Sequence, residues 1–269
     1  MASKSDSDAN RYGKLVSRVF WRGYSEGCES IPFVRSDLER AATEEGIALP
    51  KNLGDVIYSF RFRGNLPPDI LATQRNGREW IIELAGRSKY RFVMARMNRI
   101  LPRSDLAETK LPDATPELIG RNALSDEQSL LAKTRYNQLI GTFLGVTAYS
   151  LQNHLRTTAP NGAQIEIDEV YLAVDKFGRQ FVVPVQAKRG SDSHGTVQTS
   201  QDIAWCRKKF PHFICRPVSV QFMSSDKIAM FELTEEDGEI KIAEERHYHL
   251  VPANKITKHD LESYSTRAF

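Results

Sequence analysis

Three polar side chains close two apolar strands in the stretch from Gln164 to Gly190: Asp168 on the first strand, Gln186 and Lys188 on the second. Ile165, Ile167, Val170, Leu172 and Val174 precede the breaker group Asp175, Lys176, Phe177 and Gly178, and Phe181, Val182, Val183 and Val185 follow it, a spacing that predicts a hairpin. Alternation along a strand sends Gln186 and Lys188 to one face. Antiparallel pairing across a turn flanked by Asp175 and Arg179 then puts Asp168 opposite Val185 or Gln186. A carboxylate, an amide and an ammonium converge. Such groups at the ends of apolar strands are awkward for packing alone, so they mark a candidate site. A carboxylate can ligate a hard cation such as Mg²⁺, and a lysine, as a positive point charge, can favour the hydroxide form of a nearby water. The competing reading is a cross-strand ion pair of Asp168 with Lys188, worth little on a surface.

The chain of 269 residues is long enough for one large domain or two ordinary ones, with the 41% hydrophobic and 26% charged content of a soluble globular protein. No apolar run approaches the ~20 residues that span a bilayer, and the N-terminal stretch lacks the apolar segment of a secretory signal, so the expectation is a cytoplasmic protein with no membrane partner. Cys28, Cys206 and Cys215 lack metal-like spacing and read as free or buried thiols. Net charge is only +3, but Arg75, Arg78, Arg87, Lys89, Arg91, Arg96, Arg99 and Arg103 face two acids, Glu79 and Glu83, in one short stretch. That clustering is the footprint of a phosphate-facing surface.

In chain order, residues 1–10 are small and polar and are expected to be disordered. From Arg11 to Gly27 an apolar stripe of Leu15, Val16, Val19 and Phe20 opposes a basic row of Lys14, Arg18 and Arg22, predicting a helix. Ser36 and Glu39 read as a capping box opening a second helix that Gly46 stops. Pro50 opens a third, with Leu53, Ile57 and Phe60 inward and Lys51, Asn52, Ser59 and Arg63 outward. Asn76-Gly77 signals a hairpin turn, with Trp80, Ile82, Tyr90, Phe92 and Met94 on strand-like positions. Helix, helix, helix, hairpin predicts a winged helix-turn-helix-like domain over 11–100. Its third helix would enter a major groove, with Asn52, Ser59 and Arg63 toward bases and Arg75, Arg78 and Lys89 on the DNA backbone. The bland alternative is a small α+β domain with a solvated basic face.

Residues 101–124 hold Pro102, Pro112 and Pro116 without sustained period and read as a linker. Ser125 and Gln128 read as a capping box for a helix to about Leu144. Thr147–Arg156 alternates as a strand, a helix runs from about Thr196 to Phe210, and a strand from Phe213 to Phe222. Residues 227–251 alternate around Glu236, Asp237 and Gly238 as a final hairpin. The domain over 125–269 is therefore a mixed central sheet flanked by helices, of α+β or α/β class.

An acidic residue in one strand, then Gln-x-Lys closing the next, within a helix, three strands, helix, strand succession, resembles the nuclease superfamily of restriction endonucleases and Holliday junction resolvases. Asp168, Gln186, Ala187 and Lys188 match its Asp and Glu-x-Lys signature in the Gln variant of the Mrr-like branch, over about residues 126–220. The resemblance implies a restriction-endonuclease-like sheet and a Mg²⁺-dependent endodeoxyribonuclease, with Mn²⁺ a substitute and no organic cofactor. Catalytic roles fall on Asp168, Gln186 and Lys188, and metal ligation on Asp168 and the Ala187 carbonyl. Gln186 offers a neutral oxygen where relatives usually carry a carboxylate. Glu166, on the same strand face as Asp168, is the sequence candidate to compensate. Gln198 and Gln201 resemble site-lining glutamines of that branch and are assigned to DNA. His154 and His194 read as a surface-strand and a loop histidine rather than general bases. Double-stranded DNA is the expected partner, and a homodimer the simplest way to cut both strands. The alternatives are a DNA-binding regulator with an inactive nuclease-like core, and a structure-specific junction nuclease.

Overall fold

The stripe Leu15, Val16, Val19 and Phe20 is fully buried on the first helix, α1 (Lys4–Gly23). In this computed structural model α1 starts well before Arg11, so residues 4–10, expected to be disordered, are helical; no glycine or proline precedes Gly13 to stop the turn. The structure describes residues 4–49, 53–62, 66–75, 77–86, 88–96, 99–122, 127–160, 162, 164–189 and 194–266. The chain divides into two units. One comprises Met1–Arg99, Thr158–Gln164 and Gly195–Gln198, and the other Ile100–Thr157, Ile165–His194 and Thr199–Phe269.

In the first unit α1 is followed by β1 (Ser30–Val34), α2 (Arg35–Glu45), α3 (Leu53–Phe62), the short α4 (Pro68–Leu71), β2 (Glu79–Gly86) and β3 (Lys89–Ala95). The three strands form an antiparallel sheet in the order β1-β3-β2. Phe20 is the hinge of its core, meeting the rings of Trp80 and Phe92 edge-on at 5.2 Å each. β1 escapes sequence reading because Pro32 interrupts it; as an edge strand it tolerates a proline. The hairpin reverses after Gly86 (φ 138°), at Ser88 (φ 56°), rather than at Asn76-Gly77. The expected capping box is also displaced. α2 begins at Arg35, and the Val34 N–H donates to Asp37 Oδ2 at 2.8 Å, while Gly46 ends the helix at φ 62° as expected.

The elements wholly or mostly in the second unit are β4 (Glu108–Pro112), α5 (Glu117–Asn122), α6 (Glu127–Tyr136), α7 (Leu139–Leu144), β5 (Thr147–Thr158), β6 (Gln164–Val174), β7 (Gln180–Lys188), α8 (Thr196–Lys209), β8 (Ile214–Cys215), β9 (Val218–Phe222), β10 (Lys227–Glu236), β11 (Glu239–Val251) and α9 (Lys258–Ser265). One mixed sheet of eight strands runs β4-β11-β10-β9-β7-β6-β5, with β8 beside β7. Residues 101–124, expected as a linker, contribute β4, which pairs in parallel with β11 from Glu108↔His247 to Pro112↔Val251. The segment is too short to show a period, and the neighbouring strand supplies the order its own sequence does not announce. The expected single helix to Leu144 is two, parted at Gln138 (φ 48°), where the Asn137 amide donates to Lys133 O at 2.9 Å and accepts from Ala114 N–H at 2.7 Å. Ser125, of the second expected capping box, lies outside the described residues. Gly141 is required by packing: a Cβ there would sit 2.8 Å from the Val146 carbonyl.

β6 and β7 pair antiparallel from Glu169↔Val185 to Val174↔Gln180, and β9 joins β7 in parallel from Val218↔Val185 to Gln221↔Lys188. β6 and β7 are buried over nearly their whole length, which is why they read as apolar runs rather than alternations. Pro184 survives inside β7 because it lies level with the break between β8 and β9, which pair with residues 181–182 and 185–188. No described helix is long and apolar enough to cross a membrane.

Candidate active site

Beyond Glu169↔Val185 the β6–β7 ladder gives way to side-chain bonds. The Ala187 N–H donates to Asp168 Oδ2 at 2.8 Å, and the Gln186 Nε2 donates to the Glu166 carbonyl at 3.0 Å. A strand residue presents its N–H and C=O to the same neighbour, so the Ala187 carbonyl faces the Asp168 side as well. Asp168 thus stands level with Gln186, one of the two expected positions. Gln186 and Ala187 are buried, and Asp168 keeps only 9% of its surface. Lys188 ends β7 with 16% of its side chain exposed, and its Nζ lies 3.3 Å from Glu127 Oε1 at the start of α6. The polar groups are therefore recessed but open to solvent through Lys188 and Glu127.

The helix after the motif brings in a residue that sequence reading passed over. Asp202 on α8 is 2% exposed, and its Oδ2 accepts from Gln186 Nε2 at 2.9 Å, while its Oδ1 has no hydrogen-bond partner among the described residues. Glu127 was also missed; both acids sit on helices, where hairpin alternation is blind. The helix reading set Asp202 with Gln198 and Gln201 on a side other than that of Cys206, yet its four-residue spacing from the buried Cys206 puts this acid on an apolar face.

Electrostatics separate these groups. Burial raises the Asp168 carboxyl above the ordinary carboxylate range; Lys188 and the Ala187 N–H oppose it, and Glu127 and Glu166 add to it. Burial pushes Asp202 well above that range, relieved by Gln186 and Lys188 and aggravated by Asp168. Among the described residues, carboxylates thus outnumber the one nearby lysine, Lys188. Glu166 spreads toward β5, 3.4 Å from Arg156 Nε and 3.5 Å from His154 Nδ1, with 39% of its side chain exposed. His194 is buried rather than on an open loop. Its Nε2 lies 3.1 Å from Thr199 Oγ1, and burial with Lys188 nearby pushes it down to about 3. Gln201 is buried on α8 and Gln198 is half-buried. No three described His, Cys, Asp or Glu side chains gather to hold a metal unaided. A Mg²⁺ ion bound through one or two carboxylates, a carbonyl and waters does not need three.

In the first unit Arg75 and Arg78 both face Glu29, at 3.9 and 2.6 Å, and Lys89 is exposed. The basic row expected on α1 is partly neutralised, with Arg18 3.2 Å from Glu44 and Arg22 also paired to Glu44. Ser59 is exposed on α3 and borders a groove of about 870 Å³ lined by Tyr12, Trp21, Phe60 and Pro67. Asn52 and Arg63 lie outside the described residues. Comparison with protein-family models, curated proteins and solved structures finds no match to this chain.

Proposed function

We propose that the chain is a Mg²⁺-dependent DNA endonuclease of restriction type, with its centre at the β6–β7 ends and its DNA reader in the first unit. The carrying observation is Asp168, a buried carboxylate oriented by the Ala187 N–H at 2.8 Å on the strand that ends in Lys188. That is the constellation implied by the resemblance to the restriction endonuclease and Holliday junction resolvase superfamily in its Mrr-like form. The residues fit a divalent cation: the donors are hard oxygens from Asp168 and the Ala187 carbonyl, and among the described residues buried acids exceed local positive charge and Asp202 Oδ1 is buried without a partner. When bound, such an ion supplies charge neutralisation at the phosphate and eases ionisation of water and departure of the 3′ oxygen.

The chain's own residues do the positioning. Asp168 is fixed in one orientation by the Ala187 N–H, and that backbone unit is in turn fixed by pairing of β7 with β9 at Ala187↔Val220. Lys188, whose Nζ lies 3.3 Å from Glu127 Oε1 at the opening, would lower the cost of the hydroxide form of a water beside it. Hydroxide attack forms a P–O bond and breaks the bond to the 3′ oxygen, leaving a 5′-phosphate and a 3′-hydroxyl. In the first unit the succession α1, β1, α2, α3, β2, β3 with sheet order β1-β3-β2 supports a winged helix-turn-helix reader, with Ser59 toward bases and Arg75, Arg78 and Lys89 toward phosphates. Cutting both strands of a symmetric site takes two centres, which a homodimer provides.

Plasmid cleavage under Mg²⁺ or Mn²⁺ tests the reading. Lys188→Ala should cut at least ~10²-fold more slowly and bind DNA as before. Intact plasmid with wild type, together with retained DNA binding, would instead make the chain a regulator. That reading draws on the neutral Gln186 amide. Preference for branched over linear duplex would make it a junction nuclease.

A further inference from the structure

Gln186 leaves the strand position neutral, yet an acid stands against it from the next helix. We propose that Asp202 supplies the second metal-binding carboxylate of this centre, carried on α8 instead of β7, with Gln186 as the positioning residue that orients it. The inference rests on the nuclease reading of the site. Its first support is geometric: Gln186 Nε2 bridges Asp202 Oδ2 at 2.9 Å and the Glu166 carbonyl at 3.0 Å, so one amide ties α8 to β6 beside Asp168. Its second is the state of the acid. Asp202 is 2% exposed, accepts no bond from any described lysine or arginine, and keeps Oδ1 unpartnered among the described residues. An ion there would meet the free oxygen and offset both buried acids. The third is elimination within the site. Glu127 reaches Lys188, and Glu166 is drawn to Arg156 and His154 on the solvent side, which leaves Asp202, among the described acids here, with unused capacity.

A structural role would be docking of α8 through the Asp202–Gln186 bond, and Asp202→Asn preserves the shape while removing the charge. Mn²⁺ binding to the full-length protein, without DNA, can be followed by the electron paramagnetic resonance of the free ion, with thermal melts of each metal-free variant alongside. Asp202→Asn should melt like wild type and bind Mn²⁺ at least about ten-fold more weakly. Gln186→Glu combined with Asp202→Asn should recover most of that loss, because the carboxylate is returned to β7. Unchanged binding by Asp202→Asn, or no recovery in the double variant, would overturn the assignment. Absence of Mn²⁺ binding by wild type would instead sink the nuclease reading beneath it. A readout on wild type alone covers the case of a poorly folded variant: with Fe²⁺, ascorbate and peroxide, the backbone should be cut beside Asp168 and also beside Asp202. Cuts at Asp168 only would refute the role of α8.

Discussion

Asp168 and Glu169 are neighbours on one strand, both buried, and on opposite faces of the sheet they meet opposite treatment. Glu169 has no exposed surface and is met by a cation: Arg135 Nε on α6 donates to its Oε1 at 2.8 Å, Ser150 on β5 donates to the same oxygen, and the Asn153 amide, oriented to satisfy both its ends, bonds Oε1 and Arg135 at 3.2 Å. Asp168 has one backbone N–H and the field of a lysine that also serves Glu127. An unpaired oxygen does not distinguish the two faces, because Glu169 Oε2 and Asp202 Oδ1 are both buried without a partner among the described residues. Counter-charge does. One face spends its acid on holding α6 against the sheet, and the other accumulates acids that the described residues do not fully neutralise, which is the condition for recruiting a cation.

Exchanging charge for its neutral isostere on each face should give the two largest effects, and they should differ in kind. Asp168→Asn should lower the cleavage rate at least about a hundred-fold and leave the melting temperature unchanged or higher, since burial already disfavours its charge. Glu169→Gln should leave the turnover of folded protein near wild type and destabilise it. Breaking a buried pair costs about 3–5 kcal/mol, and the solvent reaching Arg135, whose side chain is 35% exposed, reduces this to about 2–3 kcal/mol. Urea unfolding and plasmid cleavage on both variants decide it. If Asp168→Asn unfolds the protein and Glu169→Gln abolishes cutting, the two faces have been assigned the wrong way round.

His194 sharpens the same contrast with pH. Buried and near Lys188, it stays neutral down to about pH 3, whereas in the unfolded chain it takes a proton near its ordinary 6.5. Stability is therefore unaffected above pH 6.5 and falls as pH drops below it, by about 1.4 kcal/mol per pH unit. His194→Asn should remove that component, so the wild-type and variant unfolding free energies should diverge between pH 7 and pH 4 by roughly 2–4 kcal/mol. Parallel curves would mean that His194 is reached by solvent and protonates in the folded state.

Much of the centre was legible because β-structure converts sequence spacing into position. Asp168, Gln186 and Lys188 converge as alternation and the Asp175–Gly178 turn dictate, and the turn itself is held by Asp175 accepting from the Phe177 and Arg179 N–H groups at 2.9 and 3.0 Å. What stayed hidden depends on contacts between elements. Glu127 and Asp202 reach the site through helix packing, for which a strand's two-residue period carries no information. β1 and β4 were invisible because Pro32 masks one and the other owes its order to β11. The N-terminal hairpin was misplaced because Gly77 takes φ 75° in the loop before β2, so the Asn-Gly signal marks a turn but not the strand reversal.

The smallest expected effect carries the counter-charge criterion into the first unit. Arg78 is 2.6 Å from Glu29 and Arg91 is 2.8 Å from Glu83, so part of each charge is already answered. Lys89 is exposed and makes no ion pair among the described residues. A cation released from counterions on binding one phosphate changes the slope of log K against log salt by about 0.9. Lys89→Ala should therefore flatten that slope by close to this amount with stability unchanged. Arg78→Ala should flatten it less and also lose the ~0.2–1 kcal/mol of an exposed ion pair. Titrating a fluorescent duplex from low to high salt measures both. A slope moved by Arg78→Ala and untouched by Lys89→Ala would show that DNA displaces Glu29 from its arginines, and that the pairing seen in the free protein does not mark which cations face phosphate.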